Sequence, residues 1–188
     1  MDFARFAVAI MAAGQSSRFG GNKLETLLDG KMLGLAIAET LVPLGFGARF
    51  AVTSAQNEKL ALNLAGLEFQ IIGNPDPGAG LSGSIKLAAM AALNTDTDAL
   101  MICLADMPFV NSACINAMIA SYDGEPLIVT DGHVTSPPAI LPRRLWASLS
   151  KLEGDAGARA LLANARRVMV QKGVLRDIDV REDFDVQD

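Results

Sequence analysis

Five apolar runs recur along the chain with helical patterns between them. The runs are Phe6–Ile10, Ala48–Thr53, Phe69–Ile72, Ala99–Leu104 and Leu127–Thr130. The helical stretches are Met32–Leu44, Asn57–Leu64, Leu81–Leu93 and Ser112–Ser121. Strands that are apolar throughout, without polar alternation, belong to sheets covered on both faces. Alternating them with helices predicts an α/β fold, a mostly parallel sheet between two helical layers, with right-handed crossovers. Ligands of such sheets bind beyond the carboxyl ends of the strands. The loops that follow Ile10, Ile72 and Leu104 are therefore the places to look for chemistry.

The first of these loops is the most informative. It runs Met11-Ala12-Ala13-Gly14-Gln15-Ser16-Ser17-Arg18-Phe19-Gly20-Gly21-Asn22-Lys23. Glycines let backbone amides approach an anion, and Arg18 and Lys23 supply charge to neutralise it. That combination suits a polyphosphate. The spacing matches neither Gly-x-x-x-x-Gly-Lys-Ser/Thr nor Gly-x-Gly-x-x-Gly. On the glycines alone, an ordinary strand-to-helix turn reads equally well; the two cations favour phosphate.

Asp106 ends the apolar strand Ala99–Leu104 and precedes Met107-Pro108. A carboxylate there, facing a triphosphate loop, suits Mg²⁺, which takes one or two carboxylates and keeps phosphate oxygens and waters. Asp106 also reads as a cap for the helix beginning near Asn111. The loop Asn74–Gly80 leads into a helix with Ser82 and Ser84 in its first turn. Gly80 allows close backbone approach, and the serines can reach a ligand or cap the helix.

These segments resemble the nucleotidyltransferases built on a Rossmann-like three-layer sandwich. The loop Ala12-Ala13-Gly14-x-Ser16-Ser17-Arg18-Phe19-Gly20-x-x-Lys23-Leu24 is most similar to that of the molybdenum cofactor cytidylyltransferases. Asn74-Pro75-Asp76 through Lys86, Leu104-Ala105-Asp106-Met107-Pro108 and Gly154–Arg159 follow in the family's order. The resemblance implies nucleotide contacts from Ala12, Ala13, Gly14, Gly20, Lys23, Gly80 and Ser84. It implies Arg18, Lys23 and Asp106 as the catalytic set, with Asp106 and Asp179 as metal ligands. Asp155 falls on the acceptor side, though it is equally a helix cap, and Asp179 could likewise cap. The implied reaction moves CMP from CTP to molybdopterin, releasing pyrophosphate, with a molybdenum enzyme or its maturation factor as a possible recipient. Guanylyl transfer from GTP to the pterin, cytidylyl transfer to a sugar or polyol phosphate, and a non-catalytic cofactor carrier are the alternatives. Two departures matter: Val180-Arg181 stands where relatives have Thr-Pro, and Ser136-Pro137-Pro138 where the branch often has Gly-His-Pro. The second leaves the acceptor's identity open.

The remaining features narrow the class. A chain of 188 residues fits one domain, 1–188, able to bury roughly 70% of its unfolded surface. An acceptor-side lobe is expected around 131–180. Within it the proline-rich Ser136–Pro142 is not expected in a central strand. Two short helices, Arg143–Leu149 and Ala156–Ala163, and two short strands, Val168–Gln171 and Val174–Ile178, should complete it. A net charge of −5 with no long basic run disfavours nucleic acid. One histidine and two cysteines give no zinc spacing, and Cys103 and Cys114 read as core residues. His133, in a glycine-rich turn, reads as a surface residue. No run reaches membrane-spanning length and no signal-peptide pattern opens the chain, which implies a cytoplasmic location.

Overall fold

A computed structural model describes residues 2–14, 19, 21–151 and 162–178. Its main sheet has seven strands: β1 (Phe6–Ala12), β4 (Ala48–Thr53), β5 (Gln70–Gly73), β6 (Ala99–Leu104), β7 (Leu127–Thr130), β8 (Thr135–Pro142) and β9 (Arg166–Met169). Their order across the sheet is β5-β4-β1-β6-β8-β7-β9. β1 lies parallel to both β4 and β6, and β5 parallel to β4, as the alternating pattern requires.

Every residue of β1 is buried, and its alternation divides the core in two. Val8, Ile10 and Ala12 pack with Ile37 and Leu41 of α1 (Ala36–Leu41), Leu60 and Leu64 of α2 (Glu58–Gly66), and Ile115 and Met118 of α4 (Ser112–Ser121). Ala7, Ala9 and Met11 face the other way. They pack with Ile85, Ala88 and Ala92 of α3 (Leu81–Ala92) and with Trp146. The alanine-on-alanine contact lets α3 lie close on the sheet, so few aromatic residues are needed to fill this side. Cys103 and Cys114 are buried free thiols in the first cluster.

The structure corrects the sequence reading at four points. Ser136–Pro142 does lie inside the sheet: β8 runs antiparallel between β6 and β7. Pairing with β6 stops at Ala139, and the β7 register jumps from Ile128↔Ala139 to Val129↔Ser136. Pro137 and Pro138 thus fall in an irregularity where no ladder donor is needed, and Pro142 closes the strand. Val174–Ile178 is not a strand. Gly173, at φ 87, turns the chain, and the Ile178 N–H bonds the Asp106 carbonyl instead of a ladder partner (3.1 Å). The stretch Met32–Leu44 is broken, with α1 flanked by 3-10 turns at Leu33–Leu35 and Val42–Leu44. Before it lies an unexpected hairpin, β2 (Leu27–Leu28) and β3 (Lys31–Met32), turned by Asp29-Gly30, both at positive φ. The short helix expected at Arg143–Leu149 is present as a 3-10 helix, Arg143–Lys151; most of Ala156–Ala163 lies outside the described residues. Among the described residues, no helix is long and apolar enough to cross a membrane.

Candidate active site

Because β5, β4, β1 and β6 are neighbours and parallel, their following loops gather on one edge of the sheet. Polar bonds link these loops in a continuous belt. Ala105 N–H donates to the Met11 carbonyl (3.1 Å), joining the ends of β6 and β1. Buried Asn57 donates its side-chain amide to the Ala12 carbonyl at 2.7 Å. Asn74 donates its backbone N–H to the Thr53 carbonyl (2.7 Å) and its side-chain amide to the Ser84 hydroxyl (3.1 Å).

The glycine loop leaves β1 through buried Ala12 and Ala13 and exposed Gly14. Its far end is pinned to the segment ahead of α2. The Asn22 side-chain amide donates to the Gln56 carbonyl (2.6 Å), and the Glu25 carboxylate accepts from Leu60 N–H in the first turn of α2 (3.1 Å). A carboxylate at that helix start satisfies an otherwise orphaned donor. The loop is thus held at both ends by one neighbouring element. Arg18 and Gly20 lie outside the described residues, as do Asp155 and Asp179.

Lys23 and Asp106 meet. The Lys23 ammonium donates to Asp106 Oδ2 at 2.8 Å, with the two side chains 9% and 27% exposed. A sequence separation of 83 residues collapses to one ion pair because β1 and β6 are adjacent. Helix capping falls to Asn111 instead, whose side chain accepts from Cys114 N–H (3.0 Å). Asp106 therefore remains a partly open carboxylate on the sheet edge. Among the described residues there is no cluster of three or more potential metal-binding side chains. A protein-caged metal such as structural zinc does not fit this set, whereas a magnesium-type ion needing one carboxylate beside phosphate does.

The other expected residues surround this pair less directly. Gly80 is the N-cap of α3 at φ 74 and ψ −168, a backbone state that a side chain would strain. Ser84 is buried, its hydroxyl engaged by Asn74. Ser136 donates its hydroxyl to the Met107 sulfur (3.7 Å), so the segment that departs from the family pattern lies against the Asp106 loop. The Arg176 guanidinium stacks 4.3 Å from the centroid of Phe109, on that same loop. His133 is exposed, as expected. Sequence reading passed over Asn22, Glu25, Asn57 and Asn74. Their signal was an amide or carboxylate in a segment that follows a strand, which spacing alone does not distinguish from a turn residue.

A mostly parallel sheet on whose edge a lysine from the loop after the first strand meets a strand-end aspartate has the architecture of a nucleotidyltransferase. The chain belongs to that class through one family: residues 8–169 match the MobA-like NTP transferase domain. It is 27% identical over 198 residues to the purine catabolism protein PucB of Bacillus subtilis, covering 94% of this chain and 92% of PucB. It is 29% identical over 118 residues to phosphoenolpyruvate guanylyltransferase of Sphaerobacter thermophilus, covering 58% and 56%. The fold is also that of Rv0371c from Mycobacterium tuberculosis H37Rv: TM-score 0.85, 18% identity, coverage of 98% and 97%. Rv0371c has also been solved as a manganese complex, with TM-score 0.75 and 18% identity over 96% of each chain.

Proposed function

We propose that this nucleotidyltransferase moves CMP from CTP to the phosphate of molybdopterin, releasing pyrophosphate, with Mg²⁺ as the working cation. The Lys23–Asp106 contact carries the reading, because it unites a phosphate-binding cation and a metal-binding carboxylate from separate loops. In this reading Arg18, Lys23 and the amides of Ala12, Ala13, Gly14 and Gly20 hold the triphosphate. Gly80 and Ser84 border the nucleoside, and Asp155 serves the acceptor. A phosphate oxygen of the acceptor, already ionised, forms the new bond to the α-phosphorus as the α–β bridging bond breaks. No side-chain nucleophile or base is required. Asp106, with Asp179, would hold the divalent ion, which when bound offsets charge on the phosphate oxygens. Ile178, the residue before Asp179, bonds the Asp106 carbonyl, which supports pairing the two carboxylates. The manganese complex of Rv0371c supports a divalent ion in this fold.

CTP is favoured because Ala13 replaces the second glycine of the guanylyltransferase loops. Ala13 is buried in the cluster that contains Ile85 of α3, so its methyl helps set the spacing between loop and helix. The likeness to phosphoenolpyruvate guanylyltransferase favours GTP as the second reading. Pyrophosphate release, measured with each nucleotide against molybdopterin and sugar or polyol phosphates, tests both. Release only with GTP, or only with a non-pterin acceptor, would overturn the first.

A further inference from the structure

We infer that Lys23 is a latch on Asp106, so that the free protein binds its divalent cation weakly until a triphosphate draws the lysine away. The inference rests on the assignment of Asp106 as a metal ligand. Three observations carry it. The Lys23 ammonium already lies 2.8 Å from Asp106 Oδ2, in the space a cation ligated by that oxygen would need. Lys23 is 9% exposed along its side chain, so the contact is a packed arrangement and not a passing surface encounter. Its backbone is fixed too, because Lys23 opens a 3-10 turn whose Glu25 is anchored to α2. The ammonium can therefore leave only by swinging along its own four-carbon stem.

A polyphosphate on the glycine loop offers that swing a destination of higher negative charge. Once Lys23 turns to phosphate, Asp106 recovers its anionic oxygen. The carboxylate and the phosphates then present a joint oxygen set to the divalent ion. Linkage makes the effect reciprocal: whatever factor the nucleotide adds to cation affinity, the cation adds to nucleotide affinity. Such a latch neutralises the Asp106 carboxylate in the free protein and suppresses unproductive metal occupancy. It also makes the metal–nucleotide pair the species that fills the site.

Manganese binding without nucleotide, followed by electron paramagnetic resonance or calorimetry, tests this on the intact protein. Lys23→Gln and Lys23→Met should each bind Mn²⁺ at least about tenfold more tightly than the wild type, the usual scale of a site-to-site coupling. Arg176→Gln removes a nearby cation stacked on Phe109 and controls for general electrostatics; it should change the affinity far less. If both Lys23 variants, folded by circular dichroism, bind Mn²⁺ no more tightly than wild type or Arg176→Gln, the latch is wrong. Asp106→Asn separates this from the underlying assignment. Loss of Mn²⁺ binding there keeps Asp106 as the ligand, whereas unchanged binding overturns that assignment itself.

Discussion

Replacing Asp106 by Asn tests stability as well as chemistry, and the structure sets the size of the effect. At 2.8 Å and an effective dielectric of about 20, the gross attraction between Lys23 and Asp106 is about 6 kcal/mol. Desolvating both charges cancels much of this, more for Lys23 at 9% exposure than for Asp106 at 27%. A charge-assisted hydrogen bond in such surroundings retains a net contribution of about 1–3 kcal/mol. Asp106→Asn leaves the enclosed ammonium facing a neutral amide where the carboxylate stood. It should therefore lower stability by about that amount, a drop in Tm of roughly 2–12 °C for a domain of this size. Lys23→Met should be destabilising as well, since it deprives Asp106 of its donor. The double variant should then cost clearly less than the sum of the two, because neither charge is stranded. Urea denaturation of the four proteins without nucleotide closes the cycle. Additivity within about 0.5 kcal/mol would mean that the two groups do not interact, and the reasoning would fail.

Three further outcomes are expected. Arg18→Ala and Lys23→Ala should each weaken triphosphate binding by calorimetry, and Arg18→Lys should rescue only in part, because a lysine cannot hold two phosphate oxygens in a planar fork; unchanged affinity in the double Ala variant would remove the loop from the site. Asn57→Leu strands the buried Ala12 carbonyl at a cost of about 1–3 kcal/mol, and it should raise the KM for nucleotide more than it changes kcat. Burial pushes the Cys114 thiol up to about 11 and holds Cys103 higher still, so both stay protonated at pH 8; a disulfide reagent should modify neither before unfolding, and prompt reaction in the native state would contradict the packing.

Much of the fold could be read directly because burial on both faces leaves an unambiguous mark. Ala48–Thr53, Ala99–Leu104 and Leu127–Thr130 are apolar runs with clear breaks, and they form strands at those limits. β8 escaped because its prolines argue against a ladder, and only the register jump at Ile128/Val129 shows how they are accommodated. The β2–β3 hairpin was missed although Asp29-Gly30 is a turn signal, since two-residue strands carry no periodicity. At the site, Lys23 and Asp106 were recognisable by residue type and position after a strand. Their direct contact was not, because it depends on β1 and β6 being neighbours. The belt of Asn57, Asn74 and Glu25 was invisible for the same reason: Asn57 and Glu25 bond backbone groups and Asn74 bonds the Ser84 hydroxyl, all brought near by the fold.

Cytidylyl transfer to a pterin phosphate at the Lys23–Asp106 edge of the sheet is the proposed reaction. Its most direct test is kcat/KM for pyrophosphate release with CTP and with GTP against molybdopterin, with Asp106→Asn alongside. CTP should be preferred by a margin of a few contacts, on the order of 1–3 kcal/mol each, and Asp106→Asn should cut turnover by about 10²–10³. A clear preference for GTP, or near-normal turnover in folded Asp106→Asn, would contradict the account.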